Sequence, residues 1–231
     1  MDQSVHSQLL DKVREYVMPP AARELLRAHL PLIIVGITAS GKNTVTDYIQ
    51  DTADYKQVVT HTTRPPRPGE VNTQHYHFIS DEEMLNMMTD QAFVEVQTIH
   101  GEAVYGISIS AYRGVIEAGH KPLLIIDVQG VEEISQYVPE LRPVFLLPTT
   151  FEEWMSMLEK RGQMSHSERL RRMHSARDEL QKVLKKQNFT LVVNRDVAST
   201  AKDIVSGIND YTSQHKARDI ALQLLERLKT I

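Results

Sequence analysis

The sequence of 231 residues contains no cysteine. Without a thiol the chain can form no disulfide and no thiolate metal site, and it has no cysteine nucleophile. This composition is typical of proteins from a reducing compartment, so we expect a cytoplasmic protein.

Long apolar segments are missing as well. The longest strongly apolar run is residues 30–35, far shorter than the roughly 20 residues that a membrane-spanning helix needs. Near the N-terminus the acidic Asp2 is followed by no apolar stretch of the signal-peptide type. We therefore expect neither membrane insertion nor export.

An excess of basic residues is also lacking. The 26 Lys and Arg residues stand against 30 Asp and Glu residues, which gives a formal net charge of −4. Nucleic-acid binding is not expected from such a balance, and any anionic ligand must meet a local basic cluster. Hydrophobic residues at 41% and charged residues at 24% are ordinary for a globular chain with a substantial core.

Apolar, strand-like segments alternate with amphipathic, helix-like segments from residue 30 onwards. The predicted strands are 30–35, 58–62, 75–79, 93–97, 122–128, 143–147 and 189–193. Helices are predicted between them, one of them opened by a capping-box pattern at Ser80 and Glu83 and another capped by Thr150 with Glu153. This order predicts right-handed βαβ crossovers and an α/β fold with a parallel sheet flanked by helices.

A glycine-rich segment, GITASGK at residues 36–42, joins the first predicted strand to a predicted helix. In such a loop the backbone N–H groups and the helix N-terminus attract phosphate oxygens, and the lysine reaches the outer phosphates. The context therefore predicts a phosphate site that includes Lys42. Asn43 occupies the position where many such loops carry the Ser or Thr that holds Mg²⁺, so Thr44 is the candidate metal-binding hydroxyl.

A second basic motif, THTTRPPRPGE, spans residues 60–70. Its prolines stiffen a loop that carries Arg64 and Arg67, and guanidinium groups match the geometry of a phosphate. The alternative is a solvated surface turn without a ligand.

These motifs, with Glu95, His100-Gly101, Tyr105-Gly106 and IDVQG at residues 126–130, resemble the guanylate kinase family. The resemblance covers about residues 30–194 and includes Arg-Gly at 161–162, Arg-Arg at 171–172, Arg177 and VVN at 192–194. It implies the P-loop nucleoside monophosphate kinase fold, with a GMP-binding insertion and a helical lid.

The activity implied by the resemblance is transfer of the γ-phosphoryl group of ATP to GMP or dGMP, with Mg²⁺ accompanying ATP. The implied catalytic residues are Lys42, Arg161, Arg172 and Arg177. The implied ATP-binding residues are Gly36, Thr38, Ala39, Ser40, Gly41, Lys42, Asn43 and Thr44. The implied GMP-binding residues are Thr60, Arg64, Arg67, Glu70, Tyr76, Glu95, Tyr105 and Asp127.

Guanine recognition by Glu95 has a physical basis. The base presents two adjacent donors, N1–H and the exocyclic amino group, and one carboxylate can accept from both. Adenine would leave the carboxylate unpaired, which is a large penalty in a buried site. Ile107 follows Tyr105-Gly106 where relatives commonly carry a small hydroxyl residue, so one guanine contact of those relatives is expected to be absent here.

The expected organisation is an N-terminal helical extension at 1–29, core segments at 30–58 and 110–150, a GMP-binding region at 59–109, a lid at 151–182, and a final core with C-terminal helices at 183–231. A homo-oligomer through the N- or C-terminal helices is possible. Two alternatives remain open: a non-catalytic guanylate-kinase-like module that binds a phosphorylated peptide, and a kinase for another nucleotide or a phosphorylated sugar.

Overall fold

The computed structural model describes residues 3–99, 103–160, 164–207 and 211–229. The strands in these ranges are β1 (Leu32–Gly36), β2 (Tyr55–Gln57), β3 (His61–Thr62), β4 (His77–Phe78), β5 (Phe93–Ile99), β6 (Ala103–Ser108), β7 (Lys121–Ile125), β8 (Val144–Leu147) and β9 (Thr190–Val193). The helices are α1 (Gln3–Glu15), α2 (Pro20–Ala28), α3 (Lys42–Thr52), α4 (Asp81–Thr89), α5 (Ile109–Glu117), α6 (Val128–Ser135), α7 (Phe151–Glu159), α8 (His166–Leu184), α9 (Val197–Ser206) and α10 (Tyr211–Lys229).

The chain divides into two compact units, and the phosphate loop lies in the second. This unit comprises Leu32–Tyr55, Leu123–Val128 and Leu141–Ile231. Its strands belong to a five-stranded sheet of order β2-β7-β1-β8-β9, in which β1 pairs in parallel with β7 and β8, and β8 with β9. Parallel strands joined by helices place the ends of β1, β7 and β8 along one edge of the sheet, where ligands commonly bind.

The core of the second unit forms because its strands are apolar on both faces, as expected of a parallel sheet covered by helices. One cluster joins Ile34 of β1 and Leu146 of β8 to Val45 and Ile49 of α3 and to Ile204 of α9. All five side chains are buried. The apolar stripe of α3 thereby fixes the position of its N-terminus, which is the end of the phosphate loop.

The first unit comprises Met1–Pro31, Lys56–Pro122 and Gln129–Glu140. Its four-stranded sheet has the order β4-β3-β6-β5, with β6 antiparallel to both β3 and β5. One face packs against α1 and α4 through Leu9, Met84, Met88, Phe93 and Val96. Strand β5 is an edge strand, and helices α1 and α2 both contact it.

The two terminal helices that were candidate oligomer surfaces both pack within their own units. Helix α1 contacts α4 and β5, and α10 contacts α8, β9 and α7. Residues such as Ala217, Ala221 and Leu224 of α10 are buried by these contacts. Among the described residues, no helix has the length and apolarity needed to cross a membrane.

The predicted α/β class, with a mostly parallel sheet and flanking helices, is confirmed, but several boundaries were wrong. The strand expected at 122–128 ends at Ile125, and α6, which was not predicted, begins at Val128. Of the strand expected at 58–62 only β3 forms. Strand β6 was not among the predicted strands, because it is held by antiparallel pairing to β5, a partner that no local pattern reveals.

Tyr16, between α1 and α2, holds the edge of β5. Its hydroxyl donates to the Phe93 carbonyl over 2.8 Å and accepts from the Phe93 N–H over 3.1 Å. Burial raises the pKa of this hydroxyl. We expect Tyr16→Phe to lower the free energy of unfolding by about 1–3 kcal/mol, because both backbone polar groups of the buried Phe93 lose their partner. Chemical denaturation measures the change, and Tyr48→Phe, at an exposed position of α3, is the control. Equal stabilities of the two variants would contradict this role.

Candidate functional site

The loop between β1 and α3 has the backbone geometry of a phosphate-binding loop. Ala39 adopts a φ of 64°, and Gly41, which caps α3, adopts a φ of 88°. A turn bond from the Ser40 N–H to the Ile37 carbonyl, 3.1 Å long, curls the chain between them. A loop of this shape followed by a helix N-terminus directs N–H groups towards an anion.

Two side chains hold the loop by its carbonyl groups. The indole N–H of Trp154 on α7 donates to the Thr38 carbonyl over 2.7 Å. The amide of Asn194, directly after β9, donates to the Ser40 carbonyl over 3.0 Å. A Cβ on Gly41 would lie 2.3 Å from the Asn194 amide nitrogen, so only glycine permits this approach. Two carbonyls of the loop are thus bonded by side chains from elements far along the chain.

Lys42 begins α3 and turns its ammonium back over the loop. Its Nζ donates to the Ile37 carbonyl over 3.1 Å and also to the Gly36 carbonyl. Thr44 and Asn43 lie in the first turn of α3 and are exposed. No group of three or more His, Asp or Glu side chains that could hold a metal occurs in the described part of the chain. The oxygens of Thr44 and Asn43 suit a Mg²⁺ ion that keeps most of its ligands from phosphates and water.

Glu179 on α8 is an acidic residue near this loop that the sequence did not single out. Its pKa is raised to about 7, chiefly because burial penalises the charged form; Lys42 opposes this shift and Asp127 adds to it. Asp127 follows β7 in the same unit, so the structure brings Lys42, Asp127 and Glu179 into one electrostatic group. A carboxyl group with a pKa near neutrality beside a phosphate-binding lysine is characteristic of a functional site.

The predicted lid arginines lie on α8 and are held by acidic neighbours. Arg172 donates to Glu168 over 2.7 Å, and Arg177 lies 3.4 Å from Asp178. Arg171 also contacts Glu168. These pairs are exposed or half-exposed and so contribute little stability, which leaves both arginines available for a ligand. Arg161 lies outside the described residues.

In the first unit, four of the predicted GMP-binding residues form one cluster around Arg64. The guanidinium donates to both carboxylate oxygens of Glu70 over 2.9 Å and to the Tyr105 hydroxyl over 3.1 Å. Its central carbon lies 5.4 Å from the centre of the Tyr76 ring, which is 5.8 Å from that of Tyr105. The Arg64 side chain is only 14% exposed. A solvated surface turn does not describe this arginine.

Charge complementarity stabilises the cluster. Burial disfavours the Arg64 charge, but hydrogen bonds from its guanidinium to Glu70 and Tyr105 outweigh burial and raise its pKa. The pKa of Glu70 is lowered, since the Arg67 N–H and the Arg64 guanidinium outweigh the effect of burial. Arg67 itself is exposed, and its N–H donates to Glu70 over 2.7 Å. Thr60 is half-buried just before β3.

Glu95 lies on β5, buried at 5% exposure, and is paired in register with Ile107 of β6. Two residues further along the strand, Gln97 is also 5% exposed. Both line a cavity of about 570 Å³ in the first unit, a size within the range of small-molecule sites. Its wall also includes Tyr16 and Glu133. His100 and Gly101, which contributed to the family resemblance, lie outside the described residues.

Sequence reasoning missed four residues of these sites: Trp154, Asn194, Glu179 and Gln97. Asn194 was part of a family-like motif, but nothing local indicated that its amide reaches Ser40, which is 154 positions away. The sequence did not distinguish Glu179 from the other charged residues of α8, most of which are exposed. Gln97 was recognisable from spacing, because a side chain two residues from Glu95 on a strand lies on the same face.

Comparison with known proteins decides the family. The family model described as guanylate kinase matches residues 28–211. The chain belongs to the guanylate kinase family. It is 34% identical over 197 residues to the guanylate kinase of Leifsonia xyli subsp. xyli, an alignment that covers 84% of this chain and 76% of the relative. Identity to the guanylate kinase of Neisseria meningitidis serogroup A is 36% over 179 residues, covering 77% and 85%. The family resemblance inferred from the motifs is confirmed.

A solved structure supports the guanylate kinase fold. The crystal structure of guanylate kinase from Anaplasma phagocytophilum matches with a TM-score of 0.58 and 24% identity, over 82% of this chain and 90% of that one. The family match begins at residue 28, so helix α1 and nearly all of α2 lie outside it.

The raised pKa of Glu179 predicts a pH-dependent stability. Since the folded state binds this proton more tightly than the unfolded state, the wild type loses stability as pH rises from about 4.5 to about 7. Glu179→Gln cannot ionise, so we expect its free energy of unfolding to exceed that of the wild type by about 1–2 kcal/mol at pH 8. The two proteins should be equally stable near pH 4.5.

Denaturation by urea at the two pH values measures this difference. Glu24→Gln, at an exposed position of α2, is the matched control and should show no such pH dependence. A constant difference between Glu179→Gln and the wild type at both pH values would contradict the assignment.

Proposed function

We propose that the protein transfers the γ-phosphoryl group of ATP to GMP or dGMP and releases ADP with GDP or dGDP. The observation that supports this most is the loop at residues 36–42, in which Trp154 and Asn194 bond to two carbonyls and Lys42 begins α3. A protein that only binds a phosphorylated peptide has no use for such a loop. Membership in the guanylate kinase family supports the same reaction.

ATP is the donor in this proposal. The N–H groups of residues 38–44 and the N-terminus of α3 would hold its outer phosphates. Lys42 rests on the Gly36 and Ile37 carbonyls. Phosphate oxygens carry full charge and are stronger acceptors than carbonyls, so the ammonium would exchange these partners for the phosphates that develop charge during transfer.

Mg²⁺ would accompany ATP. When bound, the ion would neutralise charge on the phosphates. On the protein side, Thr44 and Asn43 in the first turn of α3 are the candidate ligands, and Asp127 supplies a carboxylate in the same unit. This sparse set agrees with an ion that is held mainly by substrate and water.

The acceptor phosphate would bind at the Arg64 cluster. The guanidinium is already oriented by Glu70 and Tyr105, which reduces the entropy lost when it binds a phosphate. Tyr76 and Arg67 supply a further hydroxyl and a second charge. Glu95 and Thr60 would read guanine.

The reaction needs no protein base, because the accepting phosphate oxygen is already an anion near neutral pH. It needs positioning and positive charge around a loose transition state. Lys42 supplies this charge from the loop, and Arg172 and Arg177 of α8 would add to it, with Arg161. Acidic partners already hold Arg172 and Arg177, and the phosphates would replace them.

Replacement of the loop lysine tests the donor side. We expect Lys42→Ala to lower kcat by about 10² or more, because a charge that stabilises the transition state is lost. The variant should still fold, because Lys42 is only partly buried at the end of the loop and is not part of the apolar core. A coupled ADP-release assay with GMP, dGMP, AMP, UMP and CMP measures turnover, and denaturation measures stability.

Lys202→Ala, at an exposed site of α9, is the matched control. It should retain wild-type turnover. A Lys42→Ala protein with more than a tenth of wild-type activity would contradict the proposed role, and a wild type that prefers AMP, UMP or CMP would favour the reading of a kinase for another nucleotide.

Replacement of Arg64 tests the acceptor side. We expect Arg64→Ala to raise KM for GMP by about 10- to 100-fold, the range for hydrogen bonds to a charged group, while KM for ATP changes less than threefold. Steady-state kinetics with each substrate varied in turn gives both constants. Arg113→Ala, exposed on α5, controls for loss of a positive charge. Equal increases in both KM values would argue against this assignment.

A further inference from the structure

We propose that Gln97 determines specificity for the acceptor base by donating a hydrogen bond to the oxygen at position 6 of guanine. This inference rests on the proposed function and on the assignment of Glu95 as the residue that accepts from guanine N1–H and the exocyclic amino group. It concerns the third polar group of the same edge of the base, O6, which is an acceptor.

The position of Gln97 follows from the pairing of β5 with β6. Gln97 is directly opposite Tyr105, and Glu95 is directly opposite Ile107. Directly paired residues of antiparallel strands lie on the same face of the sheet. Glu95, Gln97 and Tyr105 therefore share one face, whereas Val96 lies on the opposite face in the core formed with α1 and α4.

The polar ends of Glu95 and Gln97 converge beside the N-terminal half of α6. A Cβ built on Gly130 would lie 3.1 Å from Oε1 of Glu95 and 3.4 Å from Nε2 of Gln97. One acceptor and one donor thus lie next to the same glycine, where a larger residue would crowd them. A purine edge that presents donors beside an acceptor needs partners in this arrangement.

The two residues that pair across from Glu95 and Gln97 are less suited to supply the donor. Ile107, its cross-strand partner, is apolar and 1% exposed. Gln97 carries two N–H donors on its amide. Tyr105 lies across from Gln97 but is already hydrogen-bonded to Arg64 in the cluster assigned to the phosphate. Gln97 is therefore placed between the residues assigned to the phosphate and to the base.

Because the amide of Gln97 is buried, the binding free energy depends on whether the ligand pairs with it. At 5% exposure Gln97 has left bulk water, and a buried amide stabilises a ligand that pairs with it and penalises one that does not. A purine with an amino group at position 6 would present a donor to a donor. Gln97 would thus reinforce the discrimination against adenine that Glu95 begins.

The experiment compares GMP with 6-thio-GMP, which keeps N1–H and the amino group but has sulfur, a poor acceptor, at position 6. We expect Gln97→Leu to lower kcat/KM for GMP by about 10- to 100-fold and for 6-thio-GMP by less than threefold. Calorimetric binding of GMP should weaken by a similar factor. Gln97→Met, which keeps the length of the side chain but carries no N–H donor, should show the same selective loss and serves if Gln97→Leu does not fold.

Gln136→Leu is the matched control, because Gln136 lines the same cavity but is exposed; it should leave the ratio of the two substrates unchanged. Equal losses for GMP and 6-thio-GMP in the Gln97 variants would overturn the inference.

Glu95→Gln distinguishes a failure of the role proposed for Gln97 from a failure of the proposed function. It should lower kcat/KM for both substrates. If it does so while the Gln97 variants leave the ratio unchanged, only the role of Gln97 is wrong. A wild type that transfers no phosphoryl group to GMP would overturn the proposed function and this inference together.

Discussion

The phosphate loop depends on where its backbone carbonyls find partners. A loop that turns its N–H groups towards an anion must turn carbonyls away from it, and buried carbonyls need hydrogen bonds. Trp154 and Asn194 provide them at Thr38 and Ser40, from α7 and from the end of β9. The shape of the loop is therefore set by α7 and β9, which lie far along the chain. The parallel sheet brings these elements next to the loop.

Local features of this structure were predictable, because neighbouring residues determine them. The capping box at Ser80 forms as expected, with Ser80 accepting from the Glu83 N–H and Glu83 accepting from the Ser80 N–H. Sequence motifs likewise predicted the strand–loop–helix context of the phosphate loop and the grouping of residues around Arg64. Other features were not predictable, since each arises from contacts between segments distant in sequence. These are strand β6, the bond from Asn194 to Ser40 and the partial burial of Glu179.

The ionisable groups of the Arg64 cluster differ in kind from those near the phosphate loop. Arg64 and Glu70 are held as a charged pair by mutual hydrogen bonds, and burial does not neutralise them. Glu179 faces a mixed environment, in which burial and Asp127 oppose its charge and Lys42 supports it. The first arrangement fixes a guanidinium in one orientation, whereas the second makes the charge near the phosphate loop responsive to pH and to the arrival of an anionic substrate.

The bond between Tyr16 and Phe93 has a consequence for the open edge of the sheet. Strand β5 is the edge of its sheet, and an open edge is a template on which a second polypeptide can add a strand. At Phe93 both backbone groups are taken by a phenol from a segment that precedes the family match. The N-terminal extension thereby occupies the backbone groups at the start of β5, the strand that carries Glu95, and leaves them unable to pair with an added strand.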